Sequence, residues 1–200
     1  MGWLALLERE VLGRTRPDAE RAVREALAVC GQHPWCDGFV RLGRYASPLD
    51  QLVQRTKANA WHDVAEAFGR ALARELADSV RPNPRAWCVV PVPTSPLRRL
   101  GRGIDHSAVM ARAVSRELGL SFCPCLRSRL APRQASLTGR DRRQRVQRFA
   151  WRRGWALPKG VSVVLVDDVR TTGSTLQEAR ELLVQRGSAR VLPAVVCAVD

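Results

Sequence analysis

Lysine is nearly missing from this 200-residue chain: Lys57 and Lys159 are the only two among 33 basic side chains. The positive charge is therefore almost all arginine, whose planar fork matches phosphate oxygens two at a time. Long apolar runs are missing too. None approaches the ~18 residues that span a bilayer, so no membrane insertion is expected. The start, MGWLALLEREVLGR, carries Glu8 and Glu10 and has neither a basic leader nor a small-residue cleavage site. No secretory signal is read there, and a cytoplasmic location is expected. Six cysteines occur without a CxxC pair. Cys30 and Cys36 flank His33, but that spacing is a weak zinc signal, so no zinc is expected. A cytosolic location also argues against disulfides. No internal repeat is found.

What is present describes an ordinary globular protein, 46% hydrophobic and 26% charged. The length suits one α/β domain with a small appendage. The formal charge is +14. It fits a solvated basic surface under biased codon usage, and it fits an anionic ligand, nucleic acid or both. Charge alone does not separate these. Cys88 and Cys197 lie in apolar strand-like runs and read as buried free thiols.

Periodicity divides the chain at about residue 80. Residues 2–12 and 17–29 have helical spacing, residues 31–46 are aperiodic and read as a connector, and Ser47-Pro48-Leu49-Asp50 reads as a capped helix start running to about Lys57. A helix over 61–78 follows, with Val64, Phe68, Leu72 and Leu76 on one face. After the Pro-rich stretch Arg81 to Pro84 the pattern alternates. Strands are expected at 87–94, 121–126, 161–166 and 191–199, with Pro193 weakening the last. Helices are expected at 104–118 and 175–186, and a mobile Arg/Gln-rich loop at 127–148. This predicts a helical N-terminal region, 1–80, and an α/β unit, 81–200, with a parallel sheet flanked by helices.

The informative stretch is Val163 to Thr175, VVLVDDVRTTGST. A buried strand ends in two carboxylates, a short loop of hydroxyls and glycine follows, and a helix begins. Ligands of open α/β sheets sit at such strand ends. A helix start offers unpaired N–H groups and a positive dipole end, both suited to phosphate. Asp167 and Asp168 would repel a phosphate, so they suit sugar hydroxyls or Mg2+. The plain alternative is a strand end followed by a helix cap; it accounts for an isolated acid pair better than for all thirteen residues. Arg98, Arg99 and Arg102 follow another strand end and would suit a pyrophosphate, or simply form a solvated basic turn.

This segment resembles the 5-phosphoribosyl-1-pyrophosphate (PRPP) signature of type I phosphoribosyltransferases. The chain is further similar to the ComF/GntX family of competence-associated proteins at Val90-Pro91-Val92-Pro93, at the loop through Arg102-Gly103, at Gln134, Leu137, Arg142 and Phe149, and from Tyr45 through Lys57. The likeness covers roughly residues 45–199. It implies a type I phosphoribosyltransferase-like fold. It implies that Asp167 and Asp168 are the catalytic acids, contacting the ribose and, with Mg2+, a metal. It implies that Thr171, Thr172, Gly173, Ser174 and Thr175 cradle the 5′-phosphate. Thr94, Ser95, Arg98, Arg99 and Arg102 would lie by the pyrophosphate, and residues 130–147, with Gln134 and Arg142, would form a lid. Three departures stand out. The family's four-cysteine zinc module is not matched, its Asn-Gln pair is Asp105-His106 here, and its asparagine after the lid arginine is Arg145.

Three functions follow as expectations: a phosphoribosyltransferase that releases pyrophosphate, a single-stranded DNA-binding competence factor with PRPP or a nucleotide as ligand, and a PRPP sensor without chemistry. The first is preferred because both acids are present.

Overall fold

The computed structural model describes residues 18–31, 34–36, 38–95, 103–129 and 148–199. The expected helix over 2–12 lies outside them. The strand that carries the signature, β7 (Ser162–Arg170), lies inside a six-stranded sheet, and its neighbours explain its composition. The sheet also holds β1 (Trp35–Cys36), β2 (Phe39–Arg44), β3 (Trp87–Pro91), β4 (Ser121–Phe122) and β8 (Arg190–Ala198), in the order β1-β2-β8-β7-β3-β4. All pairings are parallel except β1 with β2. An interior parallel strand is covered on both faces, so it reads as a continuous apolar run. In β7, Val164 and Val166 enter one core and Val163 and Leu165 the other, the two-residue alternation of a strand. The fold is α/β.

Four helices fill one side: α1 (Ala19–Cys30), α2 (Leu49–Ala58), α3 (His62–Val80) and α4 (His106–Leu118). The other side carries α5 (Ser174–Gln185) and a two-stranded sheet of β5 (Leu126–Ser128) and β6 (Phe149–Trp151). Among the described residues no helix is long and apolar enough to cross a membrane.

The expected connector over 31–46 is a strand pair instead. Phe39 to Leu42 are buried, and β2 pairs with β8 from Val40↔Ala194 to Arg44↔Ala198. Burial on both faces removes the alternation that would have marked a strand. Gly43 is there because the chain passes close to the end of α1; a Cβ would sit 2.6 Å from the Cys30 carbonyl oxygen. Pro193 is tolerated in β8 because the ladder to β2 begins only at Ala194. The expected strand over 121–126 is two short strands separated by Cys123-Pro124-Cys125. Ser47 does not cap α2: Pro48 precedes the helix, no side chain caps it, and the Ser47 hydroxyl accepts from Gln51 instead.

Candidate functional site

The carboxyl ends of β7 and β3 and the start of α5 meet at one edge of the sheet. β7 runs past its apolar core into Asp167 and Asp168, and the pair divides between two environments. Asp167 accepts from the Ser107 hydroxyl at 3.0 Å and from the Asp168 backbone N–H at 2.9 Å through the same oxygen. Burial, and then the charge of Asp168, push its carboxyl up to about 7, against the pull of those two hydrogen bonds and of Lys57. Asp168 points to the helical side, where the Lys57 ammonium lies 2.8 Å from its Oδ2. Phe68, Met110 and Val196 wall the space beside this ion pair. An apolar wall lowers the local dielectric and strengthens the attraction. The Cys197 thiol is pushed up to about 12 by burial and then by the Asp168 charge, so it stays protonated.

Gly173 turns the chain from β7 into α5 at φ 74, the left-handed region that disfavours a side chain. A Cβ there would also lie 3.1 Å from Arg170 Nε. Arg170 is fixed behind the turn, with its guanidinium 4.4 Å from the Phe39 ring centre. Thr171, Thr172 and Ser174 are exposed, and Gly173 and Thr175 are half-buried. The Thr172 hydroxyl donates to Ser174 Oγ at 3.2 Å. Arg148, just before β6, donates to Thr175 Oγ1 at 2.9 Å and to Ser174 Oγ at 3.3 Å. The turn thus presents hydroxyl donors beside the open first turn of a helix, a setting for an anion.

The structure therefore brings Asp167, Asp168 and Thr171 through Thr175 to one edge. Thr94 follows β3 and donates to Asp105 at 3.2 Å; Asp105 also caps α4 by accepting from the Ala108 N–H. Ser95 is half-buried beside it. Arg98, Arg99, Arg102, Gln134 and Arg142 lie outside the described residues. His106, one of the departures from the family pattern, is 4% exposed, and its Nε2 lies 2.9 Å from the Thr56 carbonyl oxygen. It joins α2 to α4. Nothing in the sequence pattern marks Ser107 or Arg148 as site residues. Only Lys57 left a signal, as one of two lysines and as part of the matched helix.

Lys57 pairs with one oxygen of Asp168, and Ser107 donates to one oxygen of Asp167. Among the described residues, no group of three His, Cys, Asp or Glu side chains is placed to hold a metal ion.

Known proteins are similar to this chain. The phosphoribosyl transferase domain family matches residues 103–200. The chain is 31% identical over 172 residues to "Competence protein F" of Haemophilus influenzae, covering 78% of this chain and 70% of that protein. It is 29% identical to "DNA utilization protein YhgH" of Salmonella typhi, covering 88% and 87%. Among solved structures, adenine phosphoribosyltransferase of Saccharomyces cerevisiae aligns with a TM-score of 0.49 at 18% identity, covering 91% of this chain and 89% of the other.

Proposed function

The chain belongs to the ComF family of phosphoribosyltransferase-like proteins, and from that premise we propose that it binds PRPP at the β7 edge and transfers its phosphoribosyl group with release of pyrophosphate. One observation carries the reading: a turn of outward hydroxyls and two acids adjoin at the end of one strand, donors for a phosphate beside acceptors for a ribose.

In this reading Thr171 to Thr175 hold the 5′-phosphate, and Asp167 and Asp168 take the ribose hydroxyls. The bond from the anomeric carbon to pyrophosphate breaks as an acceptor nucleophile attacks. Positive charge grows on the ribose, and negative charge grows on the leaving group. The Lys57 ammonium pairs with Asp168, and that side chain stands near the developing cation. Thr94 and Ser95, at the end of β3, and Arg98, Arg99 and Arg102 beyond them, would receive the pyrophosphate, with Gln134 and Arg142 in a covering lid. Mg2+ supplies charge neutralisation on a diphosphate when bound. With Lys57 on Asp168, such an ion would be held mainly by ligand and water oxygens.

The test is pyrophosphate release from PRPP across candidate bases. Release that depends on Asp168 supports a transferase. PRPP binding with no release for any acceptor supports a sensor and overturns catalysis.

A second reading, a contact with single-stranded DNA, is favoured by the surface around β6. Trp155 is 38% exposed, its carbonyl accepts from the Trp151 indole at 2.7 Å, and the Arg186 guanidinium lies 5.1 Å from the Trp151 ring centre. An exposed indole next to a half-buried one that carries an arginine suits base stacking along a strand. DNA affinity that falls steeply with salt and drops in Trp155→Ala supports this reading; a flat salt response contradicts it.

A further inference from the structure

The proposed mechanism leaves Arg148 without a role, although its guanidinium lies on the phosphate turn. Its Nη1 donates to both Thr175 Oγ1 and Ser174 Oγ. Glu178 anchors it from the other side. One Glu178 oxygen accepts from the backbone N–H groups of Arg148 and Phe149, and the other lies 3.8 Å from Arg148 Nε. The residue is thereby fixed at its backbone, while its side chain remains 54% exposed.

The hydroxyl accounting gives this contact a direction. A hydroxyl has one proton and two lone pairs. Ser174 Oγ accepts from both Arg148 and Thr172, which fills its lone pairs and leaves its proton to donate. Thr175 Oγ1 accepts from Arg148 and likewise retains its proton. The arginine thus occupies an acceptor site on each of two hydroxyls, leaves their protons available to an anion, and adds a positive charge at the same place. A carboxylate offers two coplanar oxygens and one charge. A terminal phosphate offers three oxygens and close to two charges, enough to use both hydroxyls, the helix start and a guanidinium together.

We infer that Arg148 is the specificity-determining residue of this turn and makes it a site for a phosphomonoester dianion. The inference rests on the proposed PRPP site and names the part of the ligand that Arg148 selects. It places the contact on the side of the sheet opposite Lys57, outside the signature itself.

Calorimetric titration with ribose 5-phosphate tests it, because that sugar keeps the terminal phosphate and lacks the pyrophosphate. The wild-type protein is compared with Arg148→Ala, Arg148→Lys and Arg24→Ala, the last removing an exposed charge on α1. Loss of a charged hydrogen bond at an exposed position predicts about tenfold weaker binding in Arg148→Ala. Arg148→Lys should recover part of it, since charge returns without the fork. Arg24→Ala should bind as the wild type does. Equal affinity in wild type and Arg148→Ala overturns the inference and leaves the PRPP reading standing. An equal loss in Arg24→Ala overturns it as well, because the effect would then be net charge. A wild-type protein that binds neither ribose 5-phosphate nor PRPP removes both. Unchanged thermal melting of each variant establishes that a lost affinity is local.

Discussion

Lys57 and Arg148 reach the same strand end from opposite faces of the sheet, and they are held differently. Lys57 projects from α2, whose Leu52, Val53 and Thr56 are buried, and its side chain is only 21% exposed. Arg148 stands at the margin of the small β5–β6 sheet and is more than half exposed. A charge pair partly withdrawn from water interacts more strongly than one at the surface, and salt screens it less. The helical face therefore offers a fixed counter-charge to an acid. The opposite face offers an adjustable cation to the turn. The difference suits the two tasks proposed for this edge: holding an acid in place beside a sugar, and closing around a phosphate.

The sharpest way to break this contrast is to remove Lys57. Lys57→Met leaves a half-buried carboxylate without its partner and should cost about 2 kcal/mol in urea unfolding, below the 3–5 kcal/mol typical of fully buried pairs. The loss should persist at high salt, whereas the effect of Arg148→Ala on ligand affinity should shrink. Equal salt sensitivity of the two would erase the distinction.

Asp167 supplies a pH test on the acid side. Its ordinary value of 3.8 is raised to about 7, so between those values the folded protein binds more protons than the unfolded chain. Stability then falls as pH rises through this window. The penalty is absent below about pH 4 and complete above about pH 7. Asp167→Asn should be more stable than wild type at pH 8 and equal to it near pH 4. Thermal melting across this range checks it; a constant difference would contradict the assignment.

Gly173→Ala should have the smallest effect. It places a side chain at φ 74 and crowds Arg170, at a cost of roughly 1 kcal/mol. Ligand affinity should fall with it, since the turn must shift, and titration of the variant reads that directly.

The signature was legible because it is contiguous: apolar run, acids, hydroxyl turn and helix follow one another, and each has a local physical reason. The alternation of strands and helices after residue 86, and with it the α/β class, was legible for the same reason. The partners were not. Ser107 lies 60 residues from Asp167, Lys57 comes from a different helix, and Arg148 sat in a basic run with no periodicity to distinguish it. Side chains that meet across elements are chosen by packing, which a local pattern does not encode. β2 escaped because a strand buried on both faces lacks alternation, and its Arg41 and Gly43 read as loop residues. Asp105 and His106 stand out in the sequence only as a departure from the family pattern; in the structure one caps α4, and the other joins α4 to α2.

Calorimetric titration of PRPP into wild type and Asp168→Ala tests the central claim most directly. The account predicts saturable one-site binding by the wild type and at least a tenfold loss in the variant, with melting otherwise intact. Equal affinity in the two proteins, or no heat of binding in the wild type, would contradict it.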